Sequence, residues 1–363
     1  MQILRALSLA LFFVLITALA GQCWEFVDDD EGWCGGFSNN LTCSWLGPPH
    51  GWGGHLWLQP TGVDPYLVGP VGYNDKMFSA KACRYICLRM LVGFSSHATS
   101  EFFWRKGGTW YGRQFALTNT DGTQWVNYDL NMTQSPDWSG DISQIRLDPI
   151  SPGHAGASIL YDYVRPMYAL DGSAYWGFDS DIEGWFATGN VGSYRAEGGY
   201  LKGTSTTADP YIYNYPGPTI DASYNNCIRV RMKTNAGTSA ELYWAPWSYG
   251  YRSFPITSDN TFREYVLNMA STASWTGVTT YLRFDPSTAN GCSFEIDYIQ
   301  VFRDKVAPTG SVKINNDAPY TSGTSVTLNL SASDPNISQD HPIKKGSGVW
   351  QARYRNSGGS WGS

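Results

Sequence analysis

The groups best suited to chemistry in this chain are carboxylates and arginines on short, alternating segments. In FEIDYI, Glu295 and Asp297 stand two apart, a spacing that turns both to one face of an extended strand. A retaining glycosidic cleavage needs a second carboxyl about 5 Å from the first, and the position that would supply it is Gln300. The related segment ILYDYV keeps only Asp162. Hydrolysis by this unit is therefore not expected. No Gly-x-Ser-x-Gly elbow occurs, and His50, His55, His97, His154 and His341 have no metal-ligand spacing.

Strand parity yields a fuller constellation. In IRVRM the apolar Ile228, Val230 and Met232 take one face and Arg229 and Arg231 the other. AELYW sets Leu242 and Trp244 against Glu241 and Tyr243, and YLRFDP sets Leu282 and Phe284 against Arg283 and Asp285. A single polar face is thus expected to carry Arg231, Tyr243, Arg283, Asp285 and Asp297. Earlier segments repeat it with Arg89, Phe103, Arg146, Asp148 and Asp162. Two chemistries fit these residue types. One is a cross-strand Arg/Asp ladder that stiffens the sheet, each exposed pair contributing about 0.2 to 1 kcal/mol. The other is a sugar groove, where a ring stacks on a pyranose while Arg and Asp bond its hydroxyls. Loop aromatics offer a second platform: Trp247, Tyr249 and Tyr251 in WAPWSYGYR, and Trp110 and Tyr111 in KGGTWYGR.

The elements that must position these groups occur twice. WEFVDDDEGW (24–33) returns as WGFDSDIEGW (176–185), and GGHLWLQPTGVDPYL (53–67) as GGYLKGTSTTADPYI (198–212). ICLRM matches IRVRM, SEFFW matches AELYW, DWSGDISQIRLDP matches SWTGVTTYLRFDP, and ILYDYV matches FEIDYI, all in the same order. Copy one is placed at 23–166 and copy two at 174–304. The segments are short, alternating, rich in β-branched and aromatic residues, and bounded by Gly, Pro, Asn and Asp. That pattern predicts an all-β fold of two tandem jelly-roll β-sandwiches. Trp24/Trp176, Trp33/Trp185 and Trp138/Trp275 are expected in the cores. Residues 306–363 change to Thr/Ser-rich strands after a Pro-containing entrance and read as the start of an Ig-like β-sandwich. Such a fold needs about 100 residues, so this one is expected to be truncated.

Residues 1–20 carry one early positive charge, Arg5, an apolar run and a closing Ala18-Leu19-Ala20, which predicts a secretory signal peptide cut after Ala20. No later stretch is apolar enough for a membrane span. With 25 Lys+Arg against 31 Asp+Glu, net charge −6, no basic stripe suits a phosphate backbone, and nucleic acid is not expected as a partner. Seven Cys make disulfides feasible after export, and the odd count leaves at least one unpaired. Cys34/Cys43 and Cys83/Cys87 are the nearest pairs. Cys227 and Cys292 are the two in copy two; a bridge between them is one expectation, although antiparallel partners would set them at opposite ends.

With its Trp-x-Phe and Glu-Gly-Trp block, central IRVRM strand and final FEIDYIQV strand, the repeated unit resembles the galactose-binding-like β-sandwiches that include many carbohydrate-binding modules. The resemblance spans residues 24–304, and VAPTGSVKIN with SGVWQARYRNSGGSW resembles bacterial Ig-like repeats. It implies a secreted, modular, non-catalytic protein, a fragment of a larger extracellular one, whose partner is a polysaccharide or other glycan. The alternatives are spacer or adhesive modules that bind no sugar, or accessory modules of an enzyme whose catalytic domain lies elsewhere. Related sandwiches often bind structural Ca²⁺ near the domain start. Asp29 and Glu31, with Asp181 and Glu183, are the matching hard-oxygen ligands, and solvated turn carboxylates are the alternative.

Overall fold

The computed structural model describes residues 24–348 apart from 27, 48–53, 73–75, 94–97, 119, 152–154, 216, 246–249, 321–322, 324, 338–341 and 344. Residues 1–23, with the expected signal peptide and Cys23, lie outside the described residues. The alternating segments form antiparallel strands, and their apolar positions close two separate cores.

The first sandwich packs two five-stranded sheets. One takes Ser38–Asn39, Tyr66–Val68, Gln144–Ser151, Thr99–Lys106 and Thr109–Ala116 in that order. The other takes Leu41–Leu46, His55–Pro60, Ser158–Met167, Tyr85–Gly93 and Trp125–Asn131. In the second sandwich the corresponding sheets run Trp185–Ala187, Ile212–Asn214, Tyr281–Asp285, Ser239–Ala245, Gly250–Pro255, and Val191–Glu197, Tyr200–Ser205, Ser293–Phe302, Cys227–Thr234, Arg263–Asn268. The repeated strings hold the same positions. Ile86 to Met90 and Ile228 to Met232 each lie between the last strand of their unit and the one on the far side.

Inward positions make the cores. Ile228, Val230, Met232, Leu242, Trp244, Leu282 and Phe284 are buried together, as are Ile86, Leu88, Met90, Phe102, Trp104, Ile145 and Leu147. Edge-to-face tryptophan pairs anchor both: Trp24–Trp33 at 5.2 Å and Trp176–Trp185 at 5.4 Å, then Trp104–Trp138 at 5.3 Å and Trp244–Trp275 at 5.2 Å. Such offset pairs add about 0.5–1.5 kcal/mol each beyond area burial.

After 304 the described residues form one two-stranded ribbon, Thr309–Ile314 with Leu328–Ser333, whose Val312, Ile314 and Leu330 are exposed. A nearby segment returns to the second sandwich. Arg229 is fully buried because its guanidinium donates to the Lys345 and Gly346 carbonyls and, at 2.8 Å, to Gln300 Oε1.

The cysteines divide plainly. Cys34 and Cys43 are bridged with Cα atoms 5.2 Å apart, while Cys83, Cys87, Cys227 and Cys292 are free and buried. The expected Cys227–Cys292 bridge is therefore corrected. Cys227 opens its strand opposite Phe302, whereas Cys292 precedes the other end of that same partner strand. Antiparallel pairing keeps the two thiols a strand length apart.

Candidate functional site

The single polar face expected from parity is two faces. Arg231 and Asp297 belong to one sheet of the second sandwich, and Tyr243, Arg283 and Asp285 to the other. In the first sandwich Arg89 and Asp162 are likewise separated from Phe103, Arg146 and Asp148. Each sheet turns its apolar side to the shared core, so the two polar sides look away from each other. Parity decides which side of its own strand a residue takes, not which sheet the strand joins.

On the Arg231 side the arrangement is a clip. Asp297 is the extra residue of a β-bulge, which brings its carboxylate to the Arg231 guanidinium. Phe262 lies 4.8 Å from Arg231 and 4.8 Å from Tyr200. The first sandwich repeats the device with the bulged Asp162 at 2.7 Å from Arg89, and Trp125 against Arg89 and His55. These pairs hold neighbouring strands together.

The other outer face begins with a buried staple. Arg283 donates from Nε and Nη2 to both oxygens of Asp285 at 2.8 and 2.7 Å, and from Nη2 to Asp209 Oδ1 at 2.8 Å. Its guanidinium lies 3.8 Å from the Tyr211 ring and 4.6 Å from Tyr243. The Asp285 side chain is 2% exposed and Arg283 11%. Burial, against the arginine's pull, pushes the Asp285 carboxyl up to about 7. Glu241, opposite Asp285, accepts from the Tyr243 and Tyr251 hydroxyls, both at 2.9 Å. The first sandwich has the same staple: Arg146 grips Asp148 with two bonds and lies 3.8 Å from Tyr66 and 4.6 Å from Phe103, with Asp64 at 3.7 Å. Burial raises Asp148 to about 6.

Across this staple runs a row that sequence reading missed. Phe186, Tyr213, Arg283, Tyr243 and Tyr251 are register partners on five successive strands of the second sandwich. Ring centroids are 5.9 Å apart for Phe186–Tyr213 and 4.9 Å for Tyr243–Tyr251. Tyr251, expected in a loop, is in a strand and 48% exposed. Tyr215 and Tyr281, with ring centroids 5.9 Å apart, add rings beside the row. In the first sandwich the row reads Phe37, Val68, Arg146, Phe103 and Gly112. A Cβ on Gly112 would meet the Phe103 ring, which leans into that place. Trp110 is half-buried on the same strand side, in register with Arg105. Trp247 and Tyr249 lie outside the described residues. The repeated Asp-Pro-Tyr strings were the signal for Asp209 and Tyr211, while Phe186 and Tyr213 had none.

The four acidic-block residues form a turn in each unit. Asp29 Oδ1 and Asp181 Oδ1 accept from the Glu31 and Glu183 N–H groups at 2.7 Å. Glu183 accepts from the Gly177 and Phe178 N–H groups and pairs with the Lys81 ammonium at 2.6 Å. Glu31 Oε1 accepts from the Glu25 and Phe26 N–H groups, and its buried Oε2 has no hydrogen-bond partner among the described residues. Burial pushes the Glu31 carboxyl up to about 8. Ca²⁺ takes six to eight oxygens, whereas here N–H donors and an ammonium face the carboxylates. Among the described residues no group of three or more His, Cys, Asp or Glu could hold a metal ion.

No protein-family model matches the chain, and no curated protein matches it. Among solved structures it is similar to the N-terminal CBM22-1–CBM22-2 tandem domain of Paenibacillus barcinonensis Xyn10C, at 14% identity and TM-score 0.28 over 78% of this chain and 97% of that one. It is also similar to the N-terminal cellulose-binding domain of Cellulomonas fimi β-1,4-glucanase C, at 15% identity and TM-score 0.27 over 37% and 97%. A family 29 carbohydrate binding module solved with cellohexaose matches at 13% identity and TM-score 0.28 over 36% and 90%. At such values the functional reading rests on the chain's own residues.

Proposed function

We propose that this is a secreted, modular, non-catalytic protein that binds a polysaccharide along the aromatic row of its second sandwich. The observation that carries the reading is the row itself: four half-buried or exposed rings at register positions on successive strands, with the arginine between them already satisfied. Rings in a line offer a pyranose chain repeated stacking faces, and the Tyr hydroxyls add polar contacts at their edges. Neither Arg283 nor Asp285 is free to grip hydroxyls, so they act as the support and the rings as the contact.

The same geometry argues against hydrolysis. Glu241 and Asp285 face each other across two strands, but two phenols hold the first and a bidentate arginine the second. Neither carboxyl is left as a free acid or base. Secretion is supported by the composition of residues 1–20 and by the Cys34–Cys43 bridge, a bond characteristic of oxidising compartments. Among the described residues no helix is long and apolar enough to cross a membrane. Affinity electrophoresis of the full chain through a panel of polysaccharides tests the proposal. Retention that Tyr243→Ala reduces supports it, and absence of retention on every gel leaves the sandwiches as spacers.

A further inference from the structure

The aromatic row does not stop at the edge of its own sheet. Phe186, on the outermost strand, lies 5.9 Å from the ammonium of Lys76, a residue of the first sandwich. Lys76 is paired with Asp141 at 2.6 Å. The two sandwiches meet immediately beside these groups. A Cβ on Gly184 would come within 3.7 Å of the Ser79 backbone, and Lys81 reaches across to Glu183 at 2.6 Å. The Thr219 N–H donates to the Pro166 carbonyl at 2.7 Å, and Ala82 packs into the second core.

Two ion pairs of the same kind differ in what they leave open. Arg283 and Asp285 are 11% and 2% exposed and bonded bidentately, whereas Lys76 and Asp141 are 42% and 41% exposed. An ammonium has three donors, and here a single carboxylate takes one of them among the described residues. Both side chains are partly exposed at the end of a line of rings.

We propose that Lys76 and Asp141 of the first sandwich, with Phe186 of the second, form an end subsite for an uncharged linear glycan lying along the row. The tandem then binds a longer stretch of glycan than the second sandwich spans alone. This rests on the reading of the row as a glycan site. Lys81, whose ammonium pairs with the buried Glu183, is a positioning residue that keeps the subsite in line.

Isothermal titration of the full chain with cellotriose and cellohexaose, and with xylotriose and xylohexaose, tests the subsite. Lys76→Ala and Asp141→Asn are expected to weaken the six-sugar ligand roughly tenfold and leave the three-sugar ligand unchanged. Lys81→Ala is expected to act in the same direction. Tyr243→Ala is expected to weaken both lengths. If Tyr243→Ala weakens both while Lys76→Ala and Asp141→Asn change neither, the row stands and the subsite falls. If no oligosaccharide binds the native chain, or Tyr243→Ala changes nothing, the row and the subsite fall together.

Discussion

The two sandwiches keep the same buried hardware and differ in what they show to solvent. Arg146, Asp148 and Glu101 repeat Arg283, Asp285 and Glu241 in kind and register, and Asp64 and Tyr66 stand by Arg146 as Asp209 and Tyr211 stand by Arg283. Outward of that staple, Val68 and Gly112 stand where the second sandwich has Tyr213 and Tyr251. A buried carboxylate must be paired or it costs several kcal/mol, so its partners are retained wherever the strand pair is retained. An exposed ring carries no such penalty when lost. On the proposed reading the duplicated Arg/Asp set is support, and the unduplicated rings are where the two units differ as binding surfaces.

The sharpest way to break this comparison is to remove the staple arginine from each sandwich. Arg283→Ala leaves Asp285 buried and unpaired and is expected to cost about 3–5 kcal/mol in chemical denaturation. Arg146→Ala should lower the stability of the first sandwich in the same way, and a small loss at either position would return the staple to the ligand. Next comes the acidic turn, where the units differ. The folded Glu31 carboxyl at about 8 lies above its unfolded value near 4.3, so the native state holds the proton more tightly. Stability is then highest below about pH 4.3, falls as pH rises, and is lowest above pH 8. Glu31→Gln is expected to remove that slope and to stabilise at pH 8.5 by about 2 kcal/mol, read from urea midpoints at several pH values. Glu183→Gln, whose carboxylate holds Lys81, should destabilise instead.

Smaller effects sharpen the functional half. Tyr243→Ala is expected to weaken polysaccharide retention about tenfold with little change in melting, while Phe103→Ala leaves retention within about twofold. Equal losses would place a second site on the first sandwich, around Trp110. The smallest change is expected at the clips. Arg231→Ala and Arg89→Ala, with side chains 38% and 41% exposed, should each cost no more than about 1 kcal/mol and leave retention unchanged. If the acidic turns are solvated rather than cation-bound, a chelator leaves the melting of either unit unchanged, and a shift would place a cation there.

Much of the fold was legible. The repeated strings, the alternation in IRVRM and YLRFDP and the shared tryptophans are local patterns, and strand parity turns them directly into core and surface. Part of the site was legible for the same reason: Arg283 and Asp285 stand two apart on one strand, and their bidentate pairing needs no distant partner. Phe186 and Tyr213 were not legible, since nothing in WFATG or PYIYN marks a ring as belonging beside Arg283. Tyr251 was named, but in a loop, because WAPWSYGYR reads as turn chemistry until Ser239–Ala245 supplies a partner.

Sequence by itself determined the duplication, the all-β class, the core face of each strand and the pairing of neighbours two residues apart. These depend on alternation, which is a property of one strand. Only the tertiary structure decided which strands share a sheet, and so separated Arg231 and Asp297 from Arg283 and Asp285. It alone aligned five rings and residues into a row, buried Arg229 beneath a distant segment and set Lys76 over Phe186. Register between strands far apart in sequence is fixed by the packing of whole faces, and no single segment carries that information.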